Sequence, residues 1–305
     1  MEISSAPDSL ARWTSQEVEE RLGISTGAFK TLGGPIGARE IAAIREAGIT
    51  RIELDGLSGS NTPTPAFDFH DRSQASEILA ECQKQGVSIV SVHAAGGQSP
   101  GHGPGCPIYD SLDEGERKAA VKKAVLYAKV AEELGASVLV GHFFGVAEQC
   151  EKTVSEILEQ LHDSSVKLTV ENSLGDIRDF MAIVDKIGSD RFGMVVDTGH
   201  ARDSDGVNPF TKKEHARQTM AQCGERLFHL HLNDFTNGDH IAPFDGNIHW
   251  GEVFAALKDI DYKGTFMFEV GPFRKKYING DVSPKELLRK VAAFPKTFAE
   301  RYGSQ

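Results

Sequence analysis

Eight short β-rich runs, spaced by helix-patterned stretches, constrain this chain more than any other feature. The runs are 23–29 (GISTGAF), 49–54 (ITRIEL), 87–94 (VSIVSVHA), 136–143 (ASVLVGHF), 166–172 (VKLTVEN), 192–199 (FGMVVDTG), 227–234 (LFHLHLND) and 264–270 (GTFMFEV). Between them lie segments such as AREIAAIREAG, SQASEILAECQKQG, SLDEGERKAAVKKAVLYAKVAEELG and SEILEQLHDS, several ending in Gly as helices often do. Ser111, with Glu114 three positions on, reads as a capping box for the long third of these helices. Each pair of runs is separated by a crossover-length connection, so the strands are predicted to be parallel. Eight of them alternating with helices predict an α/β fold of the (β/α)8, or TIM, barrel type. A doubly wound open sheet is the alternative, disfavoured by the count and by the lack of a glycine fingerprint after the first run. At 305 residues and 40% hydrophobic content, one such barrel takes up the whole length, with 1–20 as an N-terminal extension and 296–305 as a C-terminal tail.

The seventh run poses the functional question. In ERLFHLHLNDF, Phe228, Leu230 and Leu232 share one face of an extended segment, while His229, His231 and Asn233 share the other. A parallel barrel strand turns its apolar face to the helices and the other face to the barrel interior, and barrel chemistry sits at the C-terminal strand ends. Read for polar residues toward those ends, the runs offer His93, His142, Glu171, Asp197, His231 and Glu269. Any one of them alone reads as a satisfied structural polar residue. Six converging on one rim do not, because buried carboxylates are costly unless paired or coordinated.

Parity supports the convergence. Glu171 alternates with Leu168 and Val170, Asp197 with Met194 and Val196, and Glu269 with Phe266 and Phe268, so the three carboxylates share the inward face with His231. An oxygen-rich set with one imidazole suits a hard or borderline divalent ion. Mn2+ leads the expectation, with Mg2+, Co2+ and Zn2+ as alternatives.

Composition narrows the function classes. A formal charge of −11 disfavours a basic groove for duplex DNA. Cys82, Cys106, Cys150 and Cys223 are scattered without a CxxC pair, which fits reduced thiols rather than a thiolate zinc site. The N-terminal stretch has no signal-peptide pattern and no apolar run is long enough for a bilayer, so a cytoplasmic protein without a membrane partner is expected.

The combination of VEN (170–172), VVDTGH (195–200), HLND (231–234), HIAPFDGNIHW (240–250) and FMFEV (266–270) resembles the xylose isomerase-like barrel superfamily. That superfamily contains sugar and sugar-phosphate isomerases and epimerases, related dehydratases and the endonuclease IV nucleases. The resemblance to the sugar-epimerase branch implies that Glu171, Asp197, His231 and Glu269 hold one divalent metal, with Glu171 and Glu269 also the catalytic acid and base. It further implies substrate contact by His200, with His93, His142 and His240 as further candidates for binding substrate. The chain departs from the family pattern at Phe244, where glycine is usual, and at His249, where an acid is usual. The nuclease branch uses more histidines and an Asp-x-His to hold three zinc ions. Here Gly238 stands two before His240 and Asp239 is one place late, so nucleic acid is not the expected partner.

The expected activity is therefore a metal-dependent isomerisation or epimerisation of a small sugar, keto-sugar or sugar phosphate through an enediolate. Elimination from a related polyol, abasic-site phosphodiester cleavage and a barrel that depends on a partner chain stay open as alternatives, and a homo-oligomer is compatible with the sequence. The Gly- and Pro-rich 94–110 stretch reads as a loop that is either a lid or a connector, and Arg274, Lys275 and Lys276 stand near the rim.

Overall fold

The computed structural model describes residues 13–29, 35–56, 67–94, 109–143, 147–271 and 282–303. Eight strands, β1 (Leu22–Ser25), β2 (Arg51–Asp55), β3 (Ser88–Ala94), β4 (Val138–His142), β5 (Lys167–Glu171), β6 (Phe192–Asp197), β7 (Leu227–His231) and β8 (Phe266–Phe268), form one parallel sheet. Helices α1 (Ser15–Glu19), α2 (Ala38–Glu46), α3 (Arg72–Gln85), α4 (Glu114–Glu133), α5 (Ala147–Gln160), α6 (Ile177–Ile187), α7 (Lys213–Ala221), α8 (Trp250–Asp259), α9 (Pro284–Ala292) and α10 (Phe294–Tyr302) accompany them. Strands pair in chain order from β1 to β7, and β1 also pairs with β8. The ring closes through a parallel bridge between Leu232 and Phe268, with Leu232 N donating to Met267 O at 2.7 Å and Glu269 N to Leu232 O at 3.0 Å. The fold is the (β/α)8 barrel that the alternation predicts.

Two faces of each strand make two cores. Outward residues such as Ile24, Ile52, Leu54, Val170, Val196 and Leu230 pack with the helices in one large buried cluster. Val138, Val140 and Val195, on the opposite parity, form a separate small cluster inside the barrel. The interior apolar plug is therefore small, and the space above it is given to polar side chains. Gly23 keeps this interior open: a Cβ there would stand 2.9 Å from Met267 Cε and 2.8 Å from Thr265 Cγ2.

Several local readings need correction. The 23–29 run supplies only the strand Leu22–Ser25, because the chain then tightens into a 3-10 turn over Thr26–Phe29 whose Thr26 hydroxyl accepts from Asp55 N at 2.9 Å. The cap of α4 is Asp113, not Ser111: its carboxylate accepts from Glu116 N at 2.8 Å, while the Ser111 hydroxyl donates to the Glu116 side chain. Described residues of the 1–20 and 296–305 stretches pack on the barrel. Trp13 is buried, donates to Phe254 O at 2.7 Å and stacks edge-on against Phe266, and the 296–305 stretch lies mostly within α10. The expected 94–110 loop falls on residues outside those described apart from Ala94, Tyr109 and Asp110, as do Arg274, Lys275 and Lys276. Among the described residues, Cys82, Cys150 and Cys223 are buried free thiols, and no helix is long and apolar enough to cross a membrane.

Candidate metal and active site

The motifs that stand out in sequence lock three strand ends to one another. Asn172, just past β5, donates from Nδ2 to Asp197 O at 2.9 Å and accepts from Asp197 N at 2.7 Å. Thr198, just past β6, donates its hydroxyl to Asn233 O at 2.7 Å and accepts from Asn233 N at 3.0 Å. Asn233 Nδ2 in turn donates to both Asp197 oxygens, at 3.0 and 2.9 Å. A Cβ on Gly199 would stand 2.0 Å from Asn233 Oδ1, so only glycine lets these two loops approach. Asp234 organises the following loop by accepting from Phe235 N, Phe244 N, Ile248 N and Trp250 Nε1.

This framework presents a buried cluster of carboxylates and imidazoles. Glu171 Oε2 faces three ring nitrogens: His142 Nε2 at 3.0 Å, His231 Nδ1 at 3.2 Å and His93 Nε2 at 3.5 Å. Glu171 Oε1 accepts from His200 Nδ1 at 2.8 Å. His231 Nδ1 also lies 3.0 Å from Glu269 Oε2, and His93 Nδ1 lies 3.6 Å from Glu269 Oε1. One ligand atom each from His93, Glu171, His231 and Glu269 falls within 4.8 Å of the others. Glu171, His231 and Glu269 are at most 3% exposed.

Electrostatics follow from this crowding. Burial pushes the Glu171 and Glu269 carboxyls up, but facing imidazoles outweigh it, led by His142 for Glu171 and His231 for Glu269, and hold both well below the usual range. Burial pushes His93 down while Glu269 and Glu171 raise it to about 9. For His200 the Asp197 and Glu171 carboxylates overcome burial and bring it to about 10. Asp197 is raised, by burial first and by repulsion from Glu171 and Glu269 against the pull of His200.

The donor set fits a divalent cation. His231 Nδ1 and Glu269 Oε2 are buried and close, yet neither makes a hydrogen bond of good geometry. Three carboxylates that repel one another in a water-poor interior, with lone pairs aimed inward, are the arrangement a hard or borderline ion neutralises.

Three of the four ligands expected from sequence, Glu171, His231 and Glu269, meet in one group; its fourth member is His93, expected as a substrate contact. Asp197 falls in a neighbouring group with His200 and His240, whose Nε2 atoms stand 3.2 Å apart. His142 touches His93, Nε2 to Nε2, at 2.9 Å. Asp239, one place late for the nuclease pattern, is not a member of the group with Asp197, His200 and His240. Its Oδ2 lies 3.7 Å from His200 Nε2, and the backbone of the next residue, His240, is left-handed (φ 57°).

Sequence reasoning missed Glu53, a fully buried carboxylate on β2 that meets His229 and His231 across the barrel. The signal was present: in ITRIEL, Glu53 has the parity opposite to Ile52 and Leu54. Glu53 stands one layer below the rim, because β2 runs on to Asp55, and the run by itself does not show that it faces the histidines of β7.

Comparison with known proteins places this architecture. Residues 41–294 match the family described as xylose isomerase-like TIM barrel. The chain belongs to that family. A D-psicose 3-epimerase of Enterocloster bolteae is 25% identical over 187 residues, covering 60% of this chain and 50% of that protein. An uncharacterized protein of Methanocaldococcus jannaschii is 31% identical over 148 residues, covering 45% of this chain and 46% of that one. The chain thus spans about half the length of these curated relatives. Among solved structures of this barrel, an L-ribulose 3-epimerase superposes with a TM-score of 0.69 at 16% identity, covering 93% of this chain and 98% of that one. A D-psicose 3-epimerase of Clostridium cellulolyticum H10, solved with D-tagatose, gives 0.68 at 18% identity, covering 93% and 99%. The IOLI protein, solved with a bound zinc atom, gives 0.67 at 15% identity, covering 93% and 100%. At these identities the structural likeness establishes the fold.

Proposed function

We propose that this protein is a divalent-metal-dependent isomerase or epimerase of a small carbohydrate, acting by proton transfer at a carbon next to a carbonyl. The observation that carries the reading is the buried convergence of Glu171, His231 and Glu269 at the C-terminal barrel mouth, with imidazole and carboxylate lone pairs facing one another. Names of similar proteins support the substrate class: psicose and ribulose epimerases share the barrel. The zinc atom in the IOLI structure supports a bound cation in a barrel of this fold.

Glu171, Asp197, His231 and Glu269 are the proposed ligands, with Mn2+ the preferred ion and one ion per chain. A divalent ion bound there supplies a Lewis acid to a substrate carbonyl and its neighbouring hydroxyl. Glu171 and Glu269, reached by β5 and β8 on different sides of the barrel, are held ionised by their imidazole neighbours and so stand ready to take a proton. One removes the proton; its return to the neighbouring carbon gives isomerisation, and delivery of a proton to the original carbon from the opposite face gives epimerisation. His200 and His240, linked through their Nε2 atoms, and His93 and His142 supply hydrogen-bonding groups to substrate oxygens.

The test is a panel of ketoses, ketose phosphates, inososes and oxidised glycosides incubated with Mn2+ and followed by proton NMR in D2O. Loss of one C–H signal with formation of an isomer is the expected result. No exchange across the panel, with a metal-loaded protein, would remove the reading. A second reading, phosphodiester hydrolysis at a polynuclear centre, is favoured by one observation: Asp197, His200 and His240 form a further group able to hold a cation, separate from the one around Glu171 and Glu269. Three ions per chain and incision of an abasic duplex would establish it; one ion and no incision are expected.

A further inference from the structure

His231 has two ring nitrogens, and each meets carboxylates from a different side. Nδ1 faces Glu269 Oε2 at 3.0 Å and Glu171 Oε2 at 3.2 Å. Nε2 faces Glu53, at 3.1 Å from each of its oxygens. Glu53 reaches this ring from β2, across the interior from β7, and is fully buried. Its own position is fixed: Ser91 on β3 donates its hydroxyl to Glu53 Oε2 at 2.8 Å, and His229 Nε2 lies 3.3 Å from the same oxygen and 3.1 Å from Ser91 Oγ.

We propose that Glu53 is a positioning residue for the metal centre, accepting the Nε2–H of His231 and so presenting bare Nδ1 to the ion between Glu171 and Glu269. This rests on the reading that a divalent ion binds there. An ionised carboxylate only accepts hydrogen bonds, and a neutral imidazole carries one N–H. A hydrogen bond to Glu53 therefore places that hydrogen on Nε2 and leaves the Nδ1 lone pair free for coordination. The same contact fixes the ring plane and makes the ligand nitrogen more basic. The alternative of a second ion held by Glu53, His229 and His231 is less suited to the site, since the Ser91 hydroxyl already occupies Glu53 Oε2.

The experiment is a titration of the whole chain, labelled with 15N-histidine, with 113Cd2+. Wild type is expected to show a one-bond cadmium coupling to Nδ1 of His231, assigned by its loss in His231→Ala, and a protonated Nε2. Glu53→Gln keeps the shape and removes the charge; it is expected to weaken Cd2+ and Mn2+ binding about 10- to 100-fold, the range typical of losing such an outer partner. Glu53→Asp, which restores the charge, is expected to recover part of that loss. A purely packing role for Glu53 would lower the melting temperature without changing which nitrogen couples. Coupling at Nε2 in wild type overturns the proposal even if Glu53→Gln fails to fold, and so does wild-type affinity in a folded Glu53→Gln. If wild type binds no ion at all, the metal reading falls and this proposal with it. If wild type binds and His231→Ala does not, while Glu53→Gln is unaffected, the metal reading stands and only the role of Glu53 falls.

Discussion

The rings of His229 and His231 lie 5.6 Å apart, nearly perpendicular at 81°, on one face of β7 but in different layers of the barrel. His231 meets Glu171 and Glu269 at the mouth, whereas His229 meets Ser91 and Glu53 in the layer below. The two substitutions should therefore separate. His231→Ala is expected to abolish metal binding. His229→Ala is expected to retain it and to lose about 1–3 kcal/mol of stability, because Ser91 and Glu53 each lose one buried hydrogen-bonding partner while keeping each other. Metal titrations and denaturant melts on both variants check this; metal lost from the His229 variant and kept by the His231 variant would reverse the assignment.

The fourth ligand is the next point to test. Asp197 already accepts Gly199 N at 2.7 Å, His200 N at 2.8 Å and Asn233 Nδ2, so its carboxylate is held rigidly, and Glu171 and Glu269 repel it. We expect Asp197→Ala to lose the ion and His93→Ala to keep it, at reduced affinity. Elemental analysis after dialysis decides, and the opposite pattern would make His93 the ligand in its place.

Much of this site was legible because a parallel barrel enforces strict alternation. Glu171, Asp197, His231 and Glu269 follow from parity plus the rule that barrel chemistry sits at strand ends. What escaped was depth and cross-barrel pairing. Glu53 lies two residues before the end of β2, and nothing in a one-dimensional reading shows that the barrel brings it against β7. The left-handed backbone at His240 is likewise something no spacing rule anticipates for a histidine. The short β1 shows the same limit, since β-rich composition does not reveal that Thr26–Phe29 curls away.

Phe244 offers a clean test of a local conflict. Its backbone is left-handed (φ 69°), a conformation that costs a side chain roughly 1–2 kcal/mol. Its ring offsets this by stacking on Phe294 at 5.1 Å and 12°, beneath the Arg301 guanidinium at 4.4 Å. Phe244→Ala keeps the strain and loses the ring, whereas Phe244→Gly loses both. The glycine variant should be the more stable of the two by about 1 kcal/mol, against the usual order in loops. Chemical denaturation of both variants measures it, and an alanine variant at least as stable as the glycine one would contradict the strain.

The start of α4 predicts an acid-sensitive step in stability. Glu114 accepts a two-point contact from Arg117, at 2.8 Å to each oxygen, and a further one from Lys152 at 2.8 Å. Arg117 first and Lys152 second hold its carboxyl down to about 2 from an ordinary value of 4.5. A carboxyl lowered on folding stabilises the protein only while ionised, so the contribution is complete above about pH 4.5 and fades as pH falls toward 2. Arg117 also reaches Glu156 on α5 at 2.6 Å and is 1% exposed, so protonating Glu114 loosens the joint between α4 and α5 rather than a free surface pair. Glu114→Gln should leave the melting temperature at pH 3 almost unchanged relative to pH 6 from this site, making the acid limb of the stability profile shallower than in wild type. Thermal melts of both proteins across that range give the answer, and parallel profiles would show that the Glu114 contact contributes nothing to folding.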